Sequence, residues 1–272
     1  MTRVDVALFQ IGYGDDESLA DRVGRVCEWI REVERPDLIV LPELWAHGGF
    51  ASSSWTSTAE LLDGATVAQL SSVARKMHTW IHAGSIIEKA DEGSARGPED
   101  RGLWNTSVLL SPEGHVHTTY RKIHRFGFGE GEPRLLEAGH ELALTDLDWG
   151  TESTRAGLAT CYDLRFPEMF RKLGERGAEL VLLPAAWPMP RVEHWQLLGR
   201  ARALENQCWM LQCNTAGTHS GLEMGGHSQI VAPTGEVIAE LGCDEGVLTA
   251  QLDLDMVQRV RADFPVLDDR RL

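Results

Sequence analysis

The chain has 272 residues, 43% of them hydrophobic and 25% charged, with 26 Lys plus Arg against 41 Asp plus Glu and a formal net charge of −15. That composition excludes a wholly disordered chain and allows one large domain whose core needs no disulfide or metal staple. The acidity argues against a general nucleic-acid binder, which rests on clustered Lys and Arg, but leaves room for a small anion held by a few local arginines.

Residues 4–9 read as a buried strand and residues 18–35 as a helix, with Leu19, Val23, Val26, Cys27 and Ile30 on one face. Residues 38–41 form a short apolar strand stopped by Pro42; 66–77 read as helix and 81–87 as strand. The polar stretch 91–101 reads as an exposed hairpin loop or excursion, and 106–110 with 116–120 as two strands joined by a turn. Residues 121–139, rich in Gly and charge and without a period, read as a long surface loop of the kind that is functional or mobile. Strands at 155–160 and 180–183 alternate with helices at 166–176 and 192–205; hairpin-like strands at 209–213, 228–231, 237–241 and 247–252 close the chain. The alternation points to sheets covered by helices in one domain over residues 1–272.

No basic segment followed by an apolar run opens the chain, and no apolar stretch approaches the roughly 18 residues that span a bilayer. The 5 cysteines lack CxxC spacing and suit a reducing compartment. A soluble, cytoplasmic protein is expected, with neither nucleic acid nor membrane as partner.

Three strand ends carry reactive groups. Cys161 closes a small-residue strand and precedes Asp163, Arg165 and Pro167, which suits the first turn of a helix. A thiol at such a turn stands near backbone N–H groups that can bind an oxyanion; the plain alternative is a core cysteine. Glu43 lies just past the strand 38–41, where it could cap or pair locally instead. The basic run Tyr120-Arg121-Lys122-Ile123-His124-Arg125 follows another strand, and a solvated face is its ordinary meaning. In open α/β sheets, however, ligands gather beyond the carboxyl ends of strands.

Leu41-Pro42-Glu43, Tyr120-Arg121-Lys122-Ile123-His124 and Cys161-Tyr162-Asp163-Leu164-Arg165-Phe166-Pro167-Glu168 together resemble the nitrilase superfamily of carbon–nitrogen hydrolases. Asn105-Thr106, Gly157, Pro184-Ala185-Ala186-Trp187 and residues 200–206 look like further family segments, and the resemblance runs from about residue 3 to residue 255. It implies an α-β-β-α sandwich of two mixed sheets flanked by helices, with a catalytic set of Glu43, Lys122 and Cys161. It also implies a homodimer or larger homo-oligomer joined through helices beside the nucleophile. Members often carry a second glutamate after the lysine; Glu132 is the best match and Glu130 the alternative.

The implied chemistry is thiol-dependent hydrolysis of an amide through a thioester, with no metal and no organic cofactor. Lys122 and the Tyr162 N–H are suitable oxyanion donors. Arg165 resembles the arginine that holds a substrate carboxylate, unless it pairs with Asp163 or Glu168. Trp187 could wall the pocket or pack in the core. The motif, with Trp187-Pro188 and His194-Trp195, looks more like ω-amidase and deaminated-glutathione amidase than nitrile-cleaving members. A primary amide on a small carboxylate-bearing molecule is therefore expected; an N-carbamoyl hydrolase is the nearest alternative. An N-acyl transferase and a non-catalytic scaffold stand further off.

Other features are set aside: His115 with His117 and His78 with His82 as metal ligands, and the glycines at 127–131 as a phosphate cradle. Cys208, Cys213 and Cys243 read as core thiols. Residues 224–228 read as a scaffold turn with a rim role open to His227.

Overall fold

A computed structural model describes residues 2–271. Five strands of the first half, β1 (Arg3–Gln10), β2 (Leu38–Val40), β3 (Trp80–Lys89), β4 (Leu103–Leu110) and β5 (Val116–Arg121), form one sheet. Helices α1 (Leu19–Glu32) and α3 (Ala65–Met77) cover its outer face, and the short α2 (Trp55–Thr58) lies between them in sequence. After α4 (Glu132–Leu135), a second sheet is built from β6 (Ala143–Asp148), β7 (Ser153–Leu158), β8 (Leu180–Ala185) and β9 (Trp209–Asn214). Beyond the small hairpin of β10 (Thr218–His219) and β11 (Leu222–Glu223), β12 (Gln229–Val231) and β13 (Val237–Glu240) extend that sheet. Helices α5 (Pro167–Glu175) and α6 (Val192–Asn206) back it, and β14 (Gly246–Asp253) and α7 (Met256–Asp263) end the chain.

Both sheets are mixed. The order β14-β1-β2-β3-β4-β5 has a parallel centre at β1, β2 and β3, and the order β13-β12-β9-β8-β7-β6 has one at β7, β8 and β9. Parallel centres are buried on both sides, so their sequences are nearly continuous apolar runs. Alternation then divides the load: Val4, Val6, Leu8, Leu38 and Val40 face the second sheet, whereas Ala7, Phe9, Ile39 and Leu41 face α1 and α3. Phe170, Leu173, Trp195 and Ala203 of α5 and α6 close the outer side of the second sheet. The expected four-layer α-β-β-α sandwich is the observed fold.

Four local readings are corrected. Helix α1 stops at Glu32 and not at residue 35, because Val33 is already extended and Pro36 biases its predecessor away from helix. The strand at 247–252 is no hairpin partner of its neighbour; β14 crosses to the first sheet and pairs antiparallel with β1 from Arg3↔Asp253 to Gln10↔Gly246. Strand β6, an edge strand with only Leu147 fully buried, has too little alternation to stand out. Residues 121–139 are not a surface loop: Lys122, Glu132, Leu136 and Glu137 are buried and α4 lies among them. Among the described residues, no helix is long and apolar enough to cross a membrane.

Candidate active site

Glu43 leaves the end of β2 on a backbone that β3 shapes to receive it. The β3–β4 register shifts between His82 and Ser85, and Gly84 within that irregularity has φ +70°. A Cβ there would lie 1.8 Å from the Pro42 carbonyl oxygen, so only glycine fits. The Ser85 hydroxyl accepts from Leu44 N–H at 3.1 Å, and the Trp45 indole donates to Ala83 O at 2.9 Å. Gly84→Ala is expected to cost roughly 3–5 kcal/mol of stability, from the strained φ and the overpacking together, and to lower kcat by displacing Glu43. Denaturant unfolding alongside steady-state kinetics checks this; a variant within 1 kcal/mol of wild type, by the scale of ordinary surface changes, contradicts it.

Lys122 follows β5, and its backbone is pinned by Lys122 N–H to Asn105 O (2.9 Å) and Gly139 N–H to Lys122 O (2.8 Å). Its ammonium donates to Glu43 Oε1 at 2.7 Å and to Glu132 Oε2 at 2.9 Å. The Asn105 amide donates to both carboxylates, at 2.9 Å to Glu43 and 2.6 Å to Glu132. Ala186 N–H gives Glu43 Oε2 a further donor at 2.9 Å, and Phe126 N–H serves Glu132 Oε2. The two glutamates of the long segment thus separate by position: Glu132 is buried on Lys122, while Glu130 is exposed and pairs with Arg134 at 2.9 Å.

Cys161 opens a 3-10 turn, Cys161–Arg165, directly after β7, with φ +46°. Asp163 fastens this turn. Its carboxylate, fully buried, accepts from Thr160 N–H (2.8 Å), Tyr120 Oη (2.7 Å) and the His124 N–H (3.1 Å), and it pairs with His124 Nδ1 (2.7 Å). Asp163 is therefore not available to Arg165. The strained elbow brings the thiol into the same cleft as Glu43 and Lys122, close enough for both charges to act on it.

Burial dominates the electrostatics. It pushes the Cys161 thiol well up, the negative charge of Glu43 adds to this, and Lys122 works against it, so the resting group is the protonated thiol. Burial alone would lower Lys122, but Glu132 and Glu43 together hold it well above its ordinary value. Glu132 is raised by burial and by Glu43, with Lys122 opposing. Two carboxylates share one ammonium beside a neutral thiol.

Above this cluster lies a cleft of about 220 Å³, walled by Phe50, Trp55, Phe126, Tyr162 and Trp187. Trp187 serves both as wall and as packing: it is 3% exposed, its indole N–H donates to Arg191 O at 2.7 Å, and the Arg165 guanidinium lies 4.6 Å from its ring centroid. Arg165 meets no carboxylate among the described residues, which removes the salt bridges to Asp163 and Glu168 as its explanation. Its polar neighbour is His194 Nδ1, at 3.4 Å. Sequence reasoning gave no role to Phe126 or Arg191, took Asn105 only as part of a family-like segment, and offered Asp163 only as a salt-bridge partner for Arg165. A lone Asn in the apolar strand β4 is a signal for Asn105; nothing in the sequence marks Arg191.

Cys208 and Cys213 are buried, but Cys243 is exposed, 3.7 Å from His227 Nε2. His227 pairs with Glu240 at 2.7 Å and does not line the cleft.

The carbon–nitrogen hydrolase family model matches residues 5–262. A 2-oxoglutaramate amidase of Paenarthrobacter nicotinovorans is 45% identical over 99% of this chain and 90% of that protein. Omega-amidase NIT2 of Homo sapiens is 31% identical over 100% of this chain and 96% of that one. Among solved structures, Nit3 of Saccharomyces cerevisiae, a member of branch 10 of the nitrilase superfamily, superposes with a TM-score of 0.84 at 27% identity, covering 99% of this chain and 97% of that one. The buried Glu–Lys–Cys cluster and these likenesses agree: the chain belongs to the carbon–nitrogen hydrolase family of the nitrilase superfamily and is an amidase.

Proposed function

We propose that this amidase hydrolyses the ω-amide of a small α-oxo carboxylate, releasing ammonia through a thioester on Cys161. The observation that carries the reading is the unpaired Arg165 guanidinium in the same cleft as Cys161, Glu43 and Lys122. A substrate carboxylate fits that fork bidentately and fixes the amide's distance from the thiol.

In this reading Glu43 takes the Cys161 proton as sulfur attacks the amide carbon. The Lys122 ammonium and the Tyr162 N–H stabilise the oxyanion, an interaction worth about 3–4 kcal/mol per donor. Glu43 returns the proton to the departing nitrogen, so ammonia leaves and a thioester remains. Water, deprotonated by Glu43, then releases the acid and restores the thiol. Glu132 and Asn105 hold Lys122 in place. Relatives named 2-oxoglutaramate amidase and omega-amidase support the α-oxo ω-amide class over N-carbamoyl compounds. The apolar side chains Leu197 and Leu204, 64% and 56% exposed on α6, support association with a second copy through that helix, and the whole assembly is read as cytoplasmic.

Ammonia release is the direct test, on a panel of α-oxo ω-amides, N-carbamoyl amino acids and nitriles. Turnover of an α-oxo ω-amide at least tenfold above the other classes in kcat/KM is expected, a margin of roughly 1.4 kcal/mol. Preference for an N-carbamoyl amino acid, or no ammonia from any amide, overturns the reading.

A further inference from the structure

Arg191 closes the turn Met189–Arg191 at the start of α6 and lines the same cleft as Arg165. Its guanidinium stands 5.7 Å from the Phe126 ring centroid, and no carboxylate among the described residues pairs with it. The lining does hold carboxylates, but they are engaged: Glu43 and Glu132 with Lys122, and Glu130 with Arg134. Two guanidiniums therefore face one cleft of about 220 Å³ without an internal counterion. They sense each other, since Arg191 adds to burial in holding Arg165 below its usual range.

The pair is held, not left loose. Trp187 carries the Arg165 guanidinium on its ring face and donates its indole N–H to the Arg191 carbonyl. Pro188 and Pro190 restrict the backbone between Trp187 and Arg191. Preorganised like charges are unfavourable alone and become favourable only around a ligand rich in acceptors. One carboxylate satisfies one planar fork, which leaves the donors of the second guanidinium free.

We infer that Arg191 forms a second acceptor subsite that reads the oxo oxygen adjacent to the substrate carboxylate, so that the cleft selects 2-oxo acid monoamides over their 2-amino and unsubstituted counterparts. This rests on the amidase reading above and assigns a residue to one feature of that substrate. An oxo oxygen accepts from guanidinium; a methylene offers it nothing, and an ammonium adds a third positive charge. A hydrogen bond to a charged donor corresponds to a factor of roughly 10–100 in binding.

The test compares three five-carbon monoamides that carry a 2-oxo, a 2-amino or no substituent beside the carboxylate. Their kcat/KM values are measured for wild type, Arg191→Gln and Arg191→Lys. Their dissociation constants are measured by calorimetry on Cys161→Ala protein with and without Arg191→Gln. The expected result is a 2-oxo preference of about 10- to 100-fold over the unsubstituted amide in wild type. It collapses toward 1 in Arg191→Gln, mainly through KM, and is partly restored in Arg191→Lys. Calorimetry shows the same collapse without any turnover. A 2-oxo preference that survives Arg191→Gln, or binding ratios that Arg191→Gln leaves unmoved, overturns the inference while leaving the amidase reading intact. Selective 2-oxo binding by the Cys161→Ala protein, lost in Arg191→Gln, together with no hydrolysis by wild type, sinks the amidase reading and upholds the subsite.

Discussion

Cys161→Ala and Glu43→Gln are each expected to lower kcat on an amide substrate by about 10⁴-fold or more, and the double variant to fall less than about tenfold further. The reason lies in how the thiol is kept. Burial and the facing Glu43 carboxylate hold it protonated, so it becomes a nucleophile only as its proton leaves for Glu43. Remove the acceptor and the sulfur is as inert as if it were absent, which makes the two losses one loss. Glutamine in place of Glu43 also presents an NH₂ among three donors: the Lys122 ammonium, the Asn105 amide and Ala186 N–H. Lys122 then keeps only Glu132 as counter-charge and its position over the reacting carbon is lost. Single-turnover kinetics with mass detection of the acyl-enzyme separates the steps. No acyl-enzyme forms in Glu43→Gln if Glu43 is the base; accumulation of acyl-enzyme at a near-normal rate would place the base elsewhere.

Much of the scaffold for this cluster is legible in the sequence. Strand β2, buried on both faces, is an unbroken apolar run that gives out just before Glu43, while Lys122 and Cys161 follow the ends of the more polar strands β5 and β7. What escaped has a common cause. Apolar periodicity is blind to a segment whose buried side chains are charged, and residues 121–139 are such a segment: Lys122 and Glu132 face the cleft, and Glu137 accepts from the backbone of Glu99 and Arg101. Their burial is compensated by hydrogen bonds that come from other elements. Long-range pairing escaped as well. The alternation in β14 marks a strand, yet nothing local says that its partner is β1, more than two hundred residues away. Cys243 misled in the opposite direction: it follows β13 in sequence, but the Gly242-Cys243-Asp244 turn lifts it into solvent.

A second large effect is expected from acid. His47, His82 and His219 are 4%, 0% and 1% exposed, and burial holds their imidazoles down from 6.5 to about 4, about 3 and about 4. In the unfolded chain each takes a proton as the pH falls through about 6.5. The folded protein takes none until the pH nears the depressed values, so the stability is complete above about 6.5 and drains away below it. Each histidine contributes a slope of about 1.4 kcal/mol per pH unit, and the three together about 4. Between pH 6.5 and 4.5 the loss is roughly 6–7 kcal/mol, since the slope is only half developed at pH 6.5, and this is comparable with the 5–15 kcal/mol that holds an ordinary domain together. Glu132, raised in the folded state, opposes this with a single proton. Denaturant unfolding at half-unit steps from pH 7 to 4.5 should show a steep fall that begins near pH 6.5 and ends in unfolding between about 4 and 5. His47→Gln should lower the slope by about one third whatever it does to the starting stability. A protein whose stability is flat from pH 6.5 to 5, or whose slope His47→Gln leaves unchanged, does not keep these imidazoles neutral at the expense of folding.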